Sequence, residues 1–168
     1  LDHRDRLLSA TIIMSSSRAE GLPGRSPEME ALLFADPGDP AKDLDGVVDH
    51  ILHCDHVWGS PGFPFDEAER RAFIIRAIER SYRPDGVMRQ GMAVMAGDGM
   101  AGRLGEITTP TLVIHGDSDA LLSVEHGRDI ADRVPGAKYE EIAGMGHDLD
   151  GGVGPIVVGM VSGFVGGL

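Results

Sequence analysis

A chain of 168 residues, 42% of them hydrophobic, is long enough to bury a core and too apolar to remain a disordered polymer. Its 27 acidic against 15 basic residues give a formal net charge of −12, which excludes a nucleic-acid backbone or an anionic membrane surface as the natural partner. The single cysteine, Cys54, leaves no internal disulfide. Stability therefore does not depend on an oxidising compartment, and a cytoplasmic setting fits; no apolar run approaches the roughly 20 residues of a membrane-spanning helix and no signal-peptide pattern opens the chain. Because the sequence begins at Leu1 rather than methionine, a preceding portion is also expected.

In chain order, the charged stretch LDHRDRL leads into Leu8–Met14, an apolar run with the pattern of a strand buried on both faces. Serines and the Gly21–Gly24 turn leave it, and helical periodicity follows as far as about Arg103. Pro27, Glu28 and Glu30 suit the first turn of a helix to about Phe34, which the Asp36–Pro40 cluster breaks. A second helix is predicted over Ala41–Cys54. The third is the best defined: Asp66 and Glu69 form a capping box, and Ala68, Ala72, Ile75, Ile78 and Tyr82 make one apolar stripe up to Pro84. Asp85–Ala96 reads as a fourth helix.

The stretch 109–147 then reads as strand, acidic loop, helix, strand and glycine-rich loop. Thr111–Ile114 is β-branched and apolar without alternation, and Gly116 ends it. Ser123 is the expected N-cap of a helix over Val124–Arg133, and Pro135-Gly136 stops that helix before a strand at Lys138–Ile142. Such a βαβ crossover makes the two strands parallel neighbours. An amphipathic helix bearing Ile156, Val157, Met160, Val161, Phe164 and Val165 closes the chain.

Each of the last two strands releases a titratable residue at its C-terminal end, where open α/β sheets bind ligands: Asp117 or Asp119 after the first, His147 after the second. A buried carboxylate fixes an imidazole tautomer and stabilises its protonated form, and the imidazole serves as general base toward a hydroxyl nucleophile. Equally, the acid caps a loop and the histidine ends a turn. Other signals are weaker. Gly97, Gly99 and Gly102 match G-x-G-x-x-G but follow a helix instead of a strand, so they read as a connection between helices and sheet. His50, His53, Cys54 and His56 lack a second ligand pair at fixed spacing and read as a mixed helix face, with no metal expected. Trp58, Phe63 and Phe65, in a Pro/Gly-rich segment, either line a substrate pocket or simply pack. Arg70, Arg71, Arg76, Arg80 and Arg83, interspersed with Glu67, Glu69 and Glu79, read as a solvated helix face, and His115 and His126 as structural.

The string PTLVIHGDSD at 110–119, followed by GMGH at 144–147, resembles the C-terminal part of the α/β-hydrolase fold, most closely the aclacinomycin methylesterase type of carboxylesterase, with similar text at Asp2–Arg6 and Pro64–Glu67. The resemblance spans essentially all 168 residues. It implies an α/β fold in which parallel strands flanked by helices carry an all-helical cap. Residues 1–17 would supply a core strand, 18–103 the cap, and 104–168 the acid and histidine strands. By motif position the acid is Asp119 rather than Asp117, and the base is His147. Trp58, Phe63 and Leu121 are the candidate substrate contacts. Ala120 stands where the family usually has proline. More seriously, no G-x-S-x-G occurs: Ser26 lacks the second glycine and Ser60 has the wrong spacing.

The resemblance therefore implies the C-terminal segment of a serine-dependent carboxylic ester hydrolase for small apolar esters, needing no metal or organic cofactor. Its serine, its oxyanion hole and its first strands would lie in a missing N-terminal segment, held as a separate or nicked chain, without which this chain is expected to be inactive. Three parallel strands under a cap would otherwise leave a sheet edge and two faces poorly covered. Lactone, amide, C–C bond and cofactor-free peroxidase chemistry are the alternatives on the same scaffold, and a non-catalytic binding relative is the alternative outside enzymes.

Overall fold

The computed structural model describes residues 3–168, so the Asp2 end of the Asp2–Arg6 stretch lies outside the described residues. Strands β1 (Ala10–Ile13), β2 (Thr111–Gly116) and β3 (Lys138–Ile142) form one parallel sheet in the order β1-β2-β3. Between β1 and β2 come the helices α1 (Pro27–Leu33), α2 (Leu44–Trp58), α3 (Glu67–Arg80) and α4 (Pro84–Ala96). Helix α5 (Val124–Arg133) connects β2 to β3, and α6 (Val153–Gly166) closes the chain.

The central strand explains the layering. Every residue of β2 is buried, as its unbroken apolar text predicts. Its alternate side chains face opposite layers: Leu112 and Ile114 pack with Ile142, Met145, Val153, Val157 and Phe164 beneath α6. Val113 packs with Leu104, Ile130 and Val134 beneath α5. The βαβ expectation is met, with Leu112 opposite Lys138 and Gly116 opposite Ile142. β1 is shorter than the predicted Leu8–Met14 and only half-buried, and Leu8 is 90% exposed. It pairs with β2 alone, so its other edge is open among the described residues.

Local chemistry sets the helix bounds where they depart from the sequence reading. α2 starts at Leu44 rather than Ala41: Lys42 and Asp43 turn onto the Asp39 carbonyl, and the Asp43 carboxylate then accepts from Gly46 N–H as N-cap. It also runs on through His56 and Val57 to Trp58. α3 is capped by Asp66, which accepts from Glu69 N–H, but it ends at Arg80, so Tyr82 lies beyond it. Its packed face centres on Ile74, with Ile75 and Ile78 partly buried against Val48 and Leu52, whereas Ala68 and Ala72 are exposed. α6 buries Val157 and Phe164 of the predicted stripe but leaves Ile156 and Val165 facing outward. No helix among the described residues is long and apolar enough to cross a membrane.

Candidate active site at the strand ends

The acid and histidine loops meet at the C-terminal ends of β2 and β3. His147 Nδ1 lies 2.7 Å from Asp119 Oδ2, and the Asp119 side chain is fully buried. Its other oxygen, Oδ1, accepts the backbone N–H groups of Leu121 at 2.9 Å and Leu122 at 2.8 Å. Burial opposes ionisation, but the hydrogen bonds from His115, His147 and Leu122 N–H outweigh it and hold the Asp119 carboxyl below its ordinary range. With Oδ2 only accepting, Nδ1 of His147 carries the proton, and Nε2 is left as the basic nitrogen on a ring still partly open to solvent.

Asp117, the other acid left open by spacing, has a different task. Its Oδ1 accepts Gly144 N–H at 2.7 Å and Ser118 Oγ–H at 2.8 Å, pinning the acid loop to the histidine loop. The Gly144 hydrogen bond first, and that of Ser118 second, lower its pKa.

His115, read as merely structural, is the missed member of this site. It is completely buried on β2, with Nε2 at 2.8 Å from Leu122 O and 3.3 Å from Asp119 Oδ2. Both neighbours only accept, so Nε2 bears the proton, while buried Nδ1 has no partner among the described residues. The environment therefore fixes a proton on Nε2, aimed between Leu122 O and Asp119. Gly127 makes the room: a Cβ there would stand 2.5 Å from His115 Nδ1.

A second set of contacts fixes the histidine loop from the side of α2. The segment after α2 lies along residues 144–148. His147 N–H donates to Trp58 O at 2.6 Å, Gly146 N–H to Ser60 Oγ at 2.9 Å, and Gly62 N–H to Gly144 O at 2.9 Å. Buried Ser60 also donates Oγ–H to Asp148 Oδ1, and its N–H reaches Oδ2 at 3.2 Å. Gly144, at φ +74°, admits this approach; a Cβ there would stand 2.8 Å from Gly62 Cα. Arg70 corrects the reading of a solvated arginine face, because it forks onto Asp55 at 2.7 and 3.0 Å and reaches Asp150 at 2.7 Å with a mostly buried side chain. Burial raises the Asp150 pKa despite Arg70.

Of the candidate substrate contacts, Trp58 supplies the carbonyl to His147 N–H, and Phe63 packs against the α6-side core and Gly152. Leu121 gives its N–H to Asp119. The histidine cluster of α2 disperses: Cys54 Sγ contacts His50 Nε2 at 3.7 Å, burial pushes the Cys54 thiol up to about 11, and His56 lies against Phe65 and Glu67.

The fold is that of the α/β-hydrolases. The chain is 35% identical to rhodomycin D methylesterase DauP of Streptomyces sp. (strain C5), and 24% identical to rhodomycin D methylesterase DnrP of Streptomyces peucetius. Each comparison takes in 89% of this chain and 55% of the relative, so the chain spans about half the length of the curated relatives it matches. Among solved structures, the enol-lactonase from Burkholderia xenovorans LB400 superposes with a TM-score of 0.64 at 22% identity, over 97% of this chain and 58% of that one. No protein-family model matches the chain.

Proposed function

We propose that this chain supplies the acid and the base of an esterase-type hydrolase, with the nucleophilic serine and the oxyanion donors provided by a polypeptide that completes the sheet beyond β1. The observation that carries this reading is the buried Asp119 carboxylate 2.7 Å from His147 Nδ1 at adjacent strand ends. His147 Nε2 takes the serine proton as the serine attacks the ester carbonyl, and returns it to the leaving alkoxide. Water then follows the same path through the acyl-enzyme, releasing the carboxylic acid. Asp119 keeps the ring in the Nδ1–H tautomer and stabilises the imidazolium; His115, through its Nε2–H, helps keep Asp119 ionised. The likeness to rhodomycin D methylesterases supports a carboxylic ester as substrate class.

The test is hydrolysis of a p-nitrophenyl ester by the completed protein. His147→Ala and Asp119→Asn are each expected to lower turnover by on the order of 10³ to 10⁴ while the thermal melt stays cooperative. Undiminished turnover by the His147 variant overturns the assignment.

A further inference from the structure

Two neighbouring arginines tie α3 to α2, and they do so differently. Arg71 pairs with Asp49, and at 3.8 Å with Asp45, both exposed and both on α2. Arg70 has a mostly buried side chain. It forks Nε and Nη2 onto Asp55 of α2 at 2.7 and 3.0 Å, and its Nη1 lies 2.7 Å from Asp150, beyond the histidine loop. One guanidinium therefore grips both a helix and the exit of the loop that carries the base.

What lies between those two anchors is His147. Asp55 stands one turn before Trp58 on α2, and the Trp58 carbonyl accepts the His147 N–H. The Asp55 carbonyl accepts the Gly59 N–H, where the segment along the histidine loop begins. Asp150 follows His147 on the other side, and between them Asp148 has both its oxygens held by Ser60. The carboxylates of Asp55, Asp148 and Asp150 thus gather beside the loop, and the charge of Arg70 acts on all three. A planar fork meets Asp55 with two nitrogens and keeps a third for Asp150, which the point charge of a lysine does not do. Without the guanidinium, partly buried carboxylates repel one another across the loop.

We propose that Arg70 is a positioning residue for His147: by bracketing the histidine loop between Asp55 and Asp150, it holds the imidazole in register with Asp119. Its effect on turnover rests on the reading of His147 as the base, whereas its effect on the ring does not.

The experiment combines p-nitrophenyl ester hydrolysis with proton NMR on the purified protein, together with any polypeptide that completes its sheet. The reporter of position is the low-field signal of the His147 Nδ1–H held by Asp119, assigned by its loss in His147→Ala. Arg70→Gln is expected to broaden or abolish that signal and to lower kcat by roughly 10-fold, with KM within about twofold. Arg70→Lys recovers part of both. Asp150→Ala, which removes the anchor on the loop and leaves the Asp55 fork intact, moves both in the same direction by a smaller factor, and it carries the test if Arg70→Gln does not fold. Arg71→Gln, which loosens α3 from α2 alone, leaves both unchanged. Wild-type signal and kcat in a folded Arg70→Gln variant, or in Asp150→Ala, overturn the proposal. An equal loss in Arg71→Gln overturns it too, by making the effect one of helix packing. If turnover survives in His147→Ala while the signal still responds to Arg70→Gln, the hydrolytic reading falls and the positioning stands.

Discussion

At the scale of single residues, the site turns on how Asp119 remains an anion inside the protein. Four donors converge on it: His147 and His115 on Oδ2, and the Leu121 and Leu122 N–H groups on Oδ1. Its pKa is lower in the folded chain than in the unfolded one, so the carboxylate contributes stability in full above about pH 4. That contribution is lost as pH falls through the folded value. Denaturant midpoints at pH 5 and pH 3 are therefore expected to drop further for the wild type than for Asp119→Asn. An identical drop in both would show that Asp119 is not the group responsible. His147 and an acid beside it were readable because each follows a strand with clear text, but strand position left Asp117 and Asp119 open and only motif position favoured Asp119. His115 was not readable, because its role depends on Gly127 letting it sit beneath α5, a close approach that no local pattern announces.

At the scale of elements, the histidine loop is held as much by the segment after α2 as by β3. Ser60 is the junction: its hydroxyl accepts Gly146 N–H while donating to Asp148. Removing that hydroxyl leaves the buried Gly146 N–H and the half-buried Asp148 carboxylate each short of a hydrogen bond and frees the loop one residue before His147. Ser60→Ala is expected to lower kcat by roughly 10- to 100-fold with little change in KM, since a displaced base costs more in the transition state than in ground-state binding. Unchanged kcat in a normally folded Ser60→Ala variant would make the contact purely structural. The helices themselves were largely legible through capping residues and periodicity. The function of Ser60 was hidden because its partners lie 86 and 88 positions away. Arg70 was misread for the same reason: its place on a charged helix suggests solvent, whereas Asp55 and Asp150 come to it only in the folded chain.

At the scale of the whole molecule, the sheet has one strand whose exposure does not match its text. Ala10 and Met14 donate to Pro110 and Ile114 of the β2 side, so the alternate N–H groups, those of Thr11 and Ile13, point to the open edge. Leu8 on one flank, and Val158 and Val165 on α6, add exposed apolar surface. A parallel strand seated on β1 would satisfy the first and cover part of the second. Hydrogen exchange is expected to show Thr11 and Ile13 amides exchanging far faster than Ile12 in the 17.8 kDa chain by itself. All three are expected to be protected once the completing polypeptide is bound. Equal protection in the lone chain would mean that β1 needs no further strand. The apolar text of β1 predicts a strand buried on both faces, whereas the structure leaves it half-buried with one edge open among the described residues.

The backbone contact between Gly62 and Gly144 bears on how this scaffold tolerates recombination. Residues 59–63 belong by sequence to the helical segment between β1 and β2 but by contact to the histidine loop, which admits them without side chains at those two positions. A chimaera that exchanged the whole segment between β1 and β2 would graft a foreign ribbon against the loop bearing His147, so an exchange that spares the site keeps residues 59–63 together with the loop they touch.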